Sequence, residues 1–240
     1  MNNRNSTRFF LPAIIMLCLM ITLPQVIRAQ AFEGEISMQM GSPMMGAQKM
    51  DILYSIKGTK LLQTADDPQA GKIAVYSDLK TGTQTIVQEA QKQGMQIDQK
   101  VMDSLMNSMK IPSLVPKATG KKEKIGSYDC EVYVITIDST QEMDMWLTKD
   151  LPKDVTTAIK NCTEEGLKST GMKSDDLMAV FDKGYAQIKM EVKQNGITQM
   201  TNQFIKAEPK KLADALFVIP ADIKISKYDP ATMGGGAGGQ

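Results

Sequence analysis

A 240-residue chain with no histidine lacks the usual general base at neutral pH, and with it the Ser-His-Asp and Cys-His catalytic arrangements and most zinc sites. Its 28 basic and 27 acidic residues nearly balance, and without Arg4, Arg8 and Arg28 of the leader the net charge falls to −2. No nucleic-acid partner is expected at that balance, and Lys121-Lys122-Glu123-Lys124 reads as a solvated turn.

Residues 1–31 carry the three parts of a secretory signal: basic Arg4 and Arg8 without an acidic residue, an apolar run from Phe9 to Leu23, and the small-x-small exit Ala29-Gln30-Ala31, cut after Ala29 or Ala31. The run is broken by Pro12 and falls short of the roughly 20 apolar residues a membrane-spanning helix needs. Cys18 sits in its middle behind Leu17, unlike the Cys of a lipid anchor. A soluble, exported protein is expected, periplasmic or extracellular, with no transmembrane segment in the mature chain. Residues 32–230 suit one β-rich domain with a sizeable core, and the Gly-rich tail, 231–240, is expected to be disordered.

From Phe32 the pattern alternates. Ile36, Met38 and Met40 share one face of an extended segment, and Met50, Ile52, Tyr54 and Ile56 share one face of the next, with Gly41-Ser42-Pro43 and Gly46 between. Short strands follow at Lys72–Tyr76 and Thr83–Glu89 around the turn Asp78–Gly82. The period then changes: Val101, Met102, Leu105, Met106 and Met109 recur at helical spacing, with Asp98 as a cap and Pro112 and Pro116 as stops. Lys117–Lys124 and Ser127–Asp138 read as a hairpin turning at Gly126, and Gln141–Thr148 as another strand. Asp154–Glu165 is a helix with Val155, Ala158, Ile159 and Cys162 on one stripe, and Ser174–Phe181 a second, capped by Ser174. Tyr185–Lys193 and Ile197–Lys206 flank Asn195-Gly196, a tight-hairpin signal. A last extended piece runs through Phe217 and Ile223.

Neighbouring hairpins without long crossovers imply an antiparallel sheet. With helices on one face it makes an α+β fold, a curved half-barrel. Cys130 and Cys162 survive removal of the leader. In an oxidising compartment they read first as a disulfide, stabilising by about 3–4 kcal/mol in the chain-entropy model; two separate buried thiols are the alternative.

Four segments carry a resemblance: Phe32-Glu33-Gly34, Gly126-Ser127-Tyr128-Asp129-Cys130, Trp146–Pro152 and Phe217–Lys224. In this order they resemble an uncharacterised family of exported bacterial proteins, the domain of unknown function numbered forty-four-twelve, itself similar to the outer-membrane lipoprotein carriers of the Lol type. The last segment departs from the pattern, with Asp222-Ile223 where Gly and an aromatic are commoner. The resemblance implies a curved antiparallel sheet wrapped around helices, enclosing an apolar cavity that in the carriers holds acyl chains.

Without histidine, carboxylate-only catalysis stays open. Glu142 and Asp144 alternate beside Trp146, but such a pattern reads as a solvated strand face, and no cofactor fingerprint or phosphate-cradling loop is present. No enzyme activity and no cofactor are expected. Sixteen methionines remain outside the leader, open to three readings: core packing, an adaptable apolar ligand surface, or soft-metal binding, since thioethers select Cu(I). The ligand surface would be lined by Ile36, Met38, Met40, Ile52, Tyr54, Ile56, Met102, Leu105, Met106 and Met109. The copper set would be Met38, Met40, Met44 and Met45. The leading expectation is a non-enzymatic binder or carrier of an apolar small molecule or lipid, an acyl chain or a lipoprotein. A copper buffer and a structural partner of other envelope proteins are the alternatives.

Overall fold

The computed structural model describes residues 32–43, 49–67, 71–98, 100, 101, 104, 113–169 and 174–228. Residues 1–31, expected as a leader, the expected Gly-rich tail, Met44, Met45 and most of the expected Asp98–Met109 helix, including Met102, Leu105, Met106 and Met109, lie outside them. Where that helix starts, the Val101 N–H donates to Asp98 O at 3.0 Å.

Nine strands come first: β1 (Gly34–Gly41), β2 (Lys49–Lys57), β3 (Lys60–Asp67), β4 (Gly71–Asp78), β5 (Thr83–Gln88), β6 (Gln93–Ile97), β7 (Lys117–Ile125), β8 (Tyr128–Thr136) and β9 (Gln141–Thr148). Helices α1 (Lys153–Ser169) and α2 (Asp175–Phe181) precede β10 (Ala186–Gln194), β11 (Ile197–Pro209) and β12 (Lys224–Lys227). All twelve join one open sheet in the order β12-β6-β5-β4-β3-β2-β1-β11-β10-β9-β8-β7. Each hairpin lies beside its sequence neighbour. The exceptions are β11, which closes against β1, and β12, which runs parallel to β6. Bulges at Ser37–Met38, Gln187–Lys189 and Val192–Lys193 bend the strands into the expected α+β half-barrel. The β10–β11 turn places Asn195 and Gly196 at φ 51° and 75°, the left-handed pair that an Asn-Gly hairpin needs.

Three strands are not visible as alternation. In β3 the consecutive Leu61 and Leu62 are both buried, because the outer side of this strand is covered as well as the inner, so the period-two signal disappears. The cover comes from residues 210–228, a strap across the outer face. Its start is tied down by Leu212 N–H to Glu33 Oε1 at 2.8 Å and by Lys57 Nζ to Leu212 O at 2.6 Å and to Asp214 at 3.0 Å. Phe217, Ile219 and Ile223 then pack on Leu62, Ala74, Tyr76 and Val87. Lys92 pairs with Asp222 at 3.1 Å, and β12 settles beside β6. There Gly94 matters: a Cβ at that position would stand 2.6 Å from the Ile225 side chain.

The helices do not share one face, contrary to expectation. Val155, Ala158 and Ile159 of α1 join the larger apolar cluster with Val132 and Trp146, whereas Leu177, Val180 and Phe181 of α2 join a second cluster with Tyr133 and Met145. Val132 and Tyr133 are consecutive in β8 and point to opposite sides, so both sides of the β8–β9 ribbon are buried. This is why Val132–Ile135 and Met145–Leu147 read as continuous apolar runs. Ser174 stands at the entry to α2 without a side-chain capping bond. The Lys121–Lys124 cluster is solvated, but as part of edge strand β7 rather than as a turn; lysines there discourage edge-to-edge pairing.

Candidate functional site

The register of β1 to β6 assembles the six described residues of the expected ligand surface. Ile36 pairs with Tyr54, Met38 with Ile52, and Met40 with Met50, while Ile56 lies two residues beyond Tyr54. All therefore stand on one face, the inner one. Ile36, Met38, Ile52, Tyr54 and Ile56 are buried there, and Met40 is half-buried. Burial, then the nearby Cys162, pushes the Tyr54 phenol up, so it stays protonated at neutral pH.

The same rows continue into polar residues absent from the sequence-derived set. One runs Ile36, Tyr54, Gln63, Val75, Ile86, Met95, and the next Ile56, Leu61, Ser77, Gln84, Ile97. Gln63 and Ser77 thus sit on the inner face among aliphatic neighbours.

Methionines gather differently from the copper set. Met145, Met190, Met40 and Met50 lie in one cross-strand row, interrupted on β11 by Asn202. Met38 packs in the larger cluster, and Met44 and Met45 fall outside the described residues.

Cys130 and Cys162 are not joined in a disulfide. Cys130 is held at the β7–β8 end of the sheet, its Sγ 3.7 Å from Tyr128 O. Cys162 is nine residues into α1, about 13 Å along the helix from its start, and its influence falls on Tyr54 of β2. Burial pushes the Cys130 thiol up to about 11, so it is a poor nucleophile near neutrality.

At the β8–β10 end the buried polar groups pair within the chain. Trp146 Nε1 donates to Glu123 Oε2 at 2.8 Å, Tyr185 Oη to Glu131 Oε2 at 2.7 Å, and Thr148 Oγ1 to Asp129 O at 2.8 Å. Glu142 and Asp144 do share a strand face, and both face Lys193. The hydrogen bond to Asp144 raises the Lys193 ammonium, which suits a structural ion pair rather than a poised acid and base. Two concavities lined by described residues lie elsewhere. One is at the β7–β8 edge beside Cys130, and the other is a groove of about 420 Å³ lined mostly by outer-face side chains of β1 to β3, among them Gln39, Asp51 and Asp66.

The family described as domain of unknown function DUF4412 matches residues 32–223, from just before β1 into the strap, stopping short of β12. The chain belongs to that family. This DUF4412 chain is similar in fold to an uncharacterized conserved protein from Thermus thermophilus, with a TM-score of 0.53 at 6% identity over 90% of this chain and 99% of that one. A LolA superfamily protein from Nitrosomonas europaea is a distant neighbour, with a TM-score of 0.29, 10% identity and coverage of 87% and 97%. MucB, solved with MucA from Pseudomonas aeruginosa, gives a TM-score of 0.44, 8% identity and coverage of 82% and 59%. Comparison of the sequence with curated proteins gives no match. Among the described residues, no helix is long and apolar enough to cross a membrane.

Proposed function

We propose that the protein is an exported, non-enzymatic binder or carrier of an apolar ligand, an acyl chain or an acylated protein, held against the inner face of β1 to β6. The observation that supports this most is the contiguity of that face: Ile36, Met38, Ile52, Tyr54 and Ile56 meet across β1 and β2 and continue through Ala65, Ile73, Val75 and Ile86. Methionine at Met38, Met40 and Met50 makes the surface adaptable, since an unbranched thioether refits to different chain shapes. The sequence resemblance to the Lol-type carriers points the same way.

Delipidated protein should take up a labelled fatty acid or phospholipid and melt at a higher temperature with it, because a ligand that binds only the folded state stabilises it by mass action. Ile52→Asp, a charge on the inner face, should abolish uptake. Delipidated wild type that neither binds nor gains stability overturns the reading.

A further inference from the structure

Two polar side chains on the inner face have nothing among the described residues to satisfy them. Gln63 is 1% exposed and Ser77 7% exposed. Neither the Gln63 amide oxygen, nor its nitrogen, nor the Ser77 hydroxyl has a hydrogen-bond partner among those residues. A buried polar group left unpaired is destabilising, and a face that only had to pack would carry aliphatic residues here, as Leu61, Ala65, Val75 and Ile86 do around them. Gln63 stands directly opposite Val75, and Ser77 is two residues further along β4. The two are therefore diagonal neighbours on one face, about 7–8 Å apart at their backbones, close enough for the long Gln63 side chain and the hydroxyl to serve one small group.

We propose that Gln63 and Ser77 hold the head of a neutral amphiphile, an acyl chain ending in an ester, amide or hydroxyl group, while its hydrocarbon lies along Ile36, Ile52 and Tyr54. This rests on the apolar-ligand reading above and narrows it. The amide offers donors and an acceptor and the hydroxyl offers both, which matches a head carrying a carbonyl and a hydroxyl. The head is neutral because the residues sharing these two rows with Gln63 and Ser77, from Ile36 to Met95 and from Ile56 to Ile97, include no charged side chain. A carboxylate or phosphate would be buried without a counter-charge and would lose its hydration with nothing to offset it.

The test uses delipidated full-length mature protein, the variants Q63M, S77A and Q63M/S77A, and three probes: 1-monooleoylglycerol, oleate, and the uncharged apolar dye N-phenyl-1-naphthylamine. Wild type should bind the monoglyceride at least about tenfold more tightly than oleate. The double variant should lose about tenfold in monoglyceride affinity relative to its affinity for the dye, the worth of one to two hydrogen bonds, and melt at a higher temperature without lipid. The single variants give intermediate losses and carry the test should the pair fail to fold. Unchanged monoglyceride affinity in a folded variant, or equal affinity of wild type for ester and carboxylate, overturns the assignment while leaving the apolar-ligand reading intact. Failure of wild type to bind the dye and both lipids overturns both.

Discussion

The β8–β10 end of the sheet and the β3–β4 region bury polar groups in opposite ways. At the first, the indole of Trp146, the phenol of Tyr185 and the hydroxyl of Thr148 each find an oxygen within the chain, and apolar clusters cover both sides of the ribbon. At the second, the outer side is closed by the strap, but on the inner side Gln63 and Ser77 are left without partners among the described residues. One end is complete as folded; the other, on the reading proposed above, is finished by a bound molecule. The contrast separates residues that stabilise the domain from residues kept for what it binds.

That contrast can be broken by substitution. Leu147→Ala, at a fully buried position between the two covered sides, should cost about 3 kcal/mol through lost burial and the cavity left behind, read as a lower urea midpoint; a loss under about 1 kcal/mol would show that the β8–β9 end is not the rigid part. Glu123→Ala orphans the Trp146 indole N–H and should cost about 1–2 kcal/mol by the same measurement. Gln63→Met should do the reverse, raising the stability of lipid-free protein by about 1 kcal/mol. If it destabilises as Glu123→Ala does, the two regions are alike and the distinction fails.

The smallest effect concerns the strap. Hydrogen bonding from Lys57 and Lys92 holds the Asp214 and Asp222 carboxyls below the usual carboxylate range. A carboxyl with a depressed folded-state pKa stabilises above its unfolded value, and that contribution disappears as pH falls through the folded value. Wild type should therefore melt slightly above D214N/D222N near pH 6, and the gap should close below about pH 4. A gap that persists at about pH 2.5, well below the ordinary carboxylate range, would show that these pairs do not latch the strap electrostatically.

Much of the architecture is legible in the residues. Period-two alternation gives β1 and β2, Asn195-Gly196 gives the β10–β11 hairpin, and the stripe Val155, Ala158, Ile159 gives α1. The failures have one physical origin, tertiary cover. Leu61-Leu62 hides β3 because the strap buries its second side, and the strap reads as a loose extended piece because a 3-10 turn at Asp214–Phe217 and Pro220 interrupt it before Phe217, Ile219 and Ile223 can read as a strand. The disulfide expectation fails because pairing depends on where α1 carries Cys162, which the stripe alone does not fix. For the site, Ile36, Met38, Met40, Ile52, Tyr54 and Ile56 are readable as one face, while Gln63 and Ser77 are not. A buried glutamine has no signature in a single sequence until its strand is known.

If a bound acyl chain completes the inner face of β1 to β6, mass spectrometry of lipid extracted from protein purified without detergent should find about one neutral acyl lipid per chain. An extract free of acyl lipid, from protein that also takes none up when it is supplied, would contradict that binding.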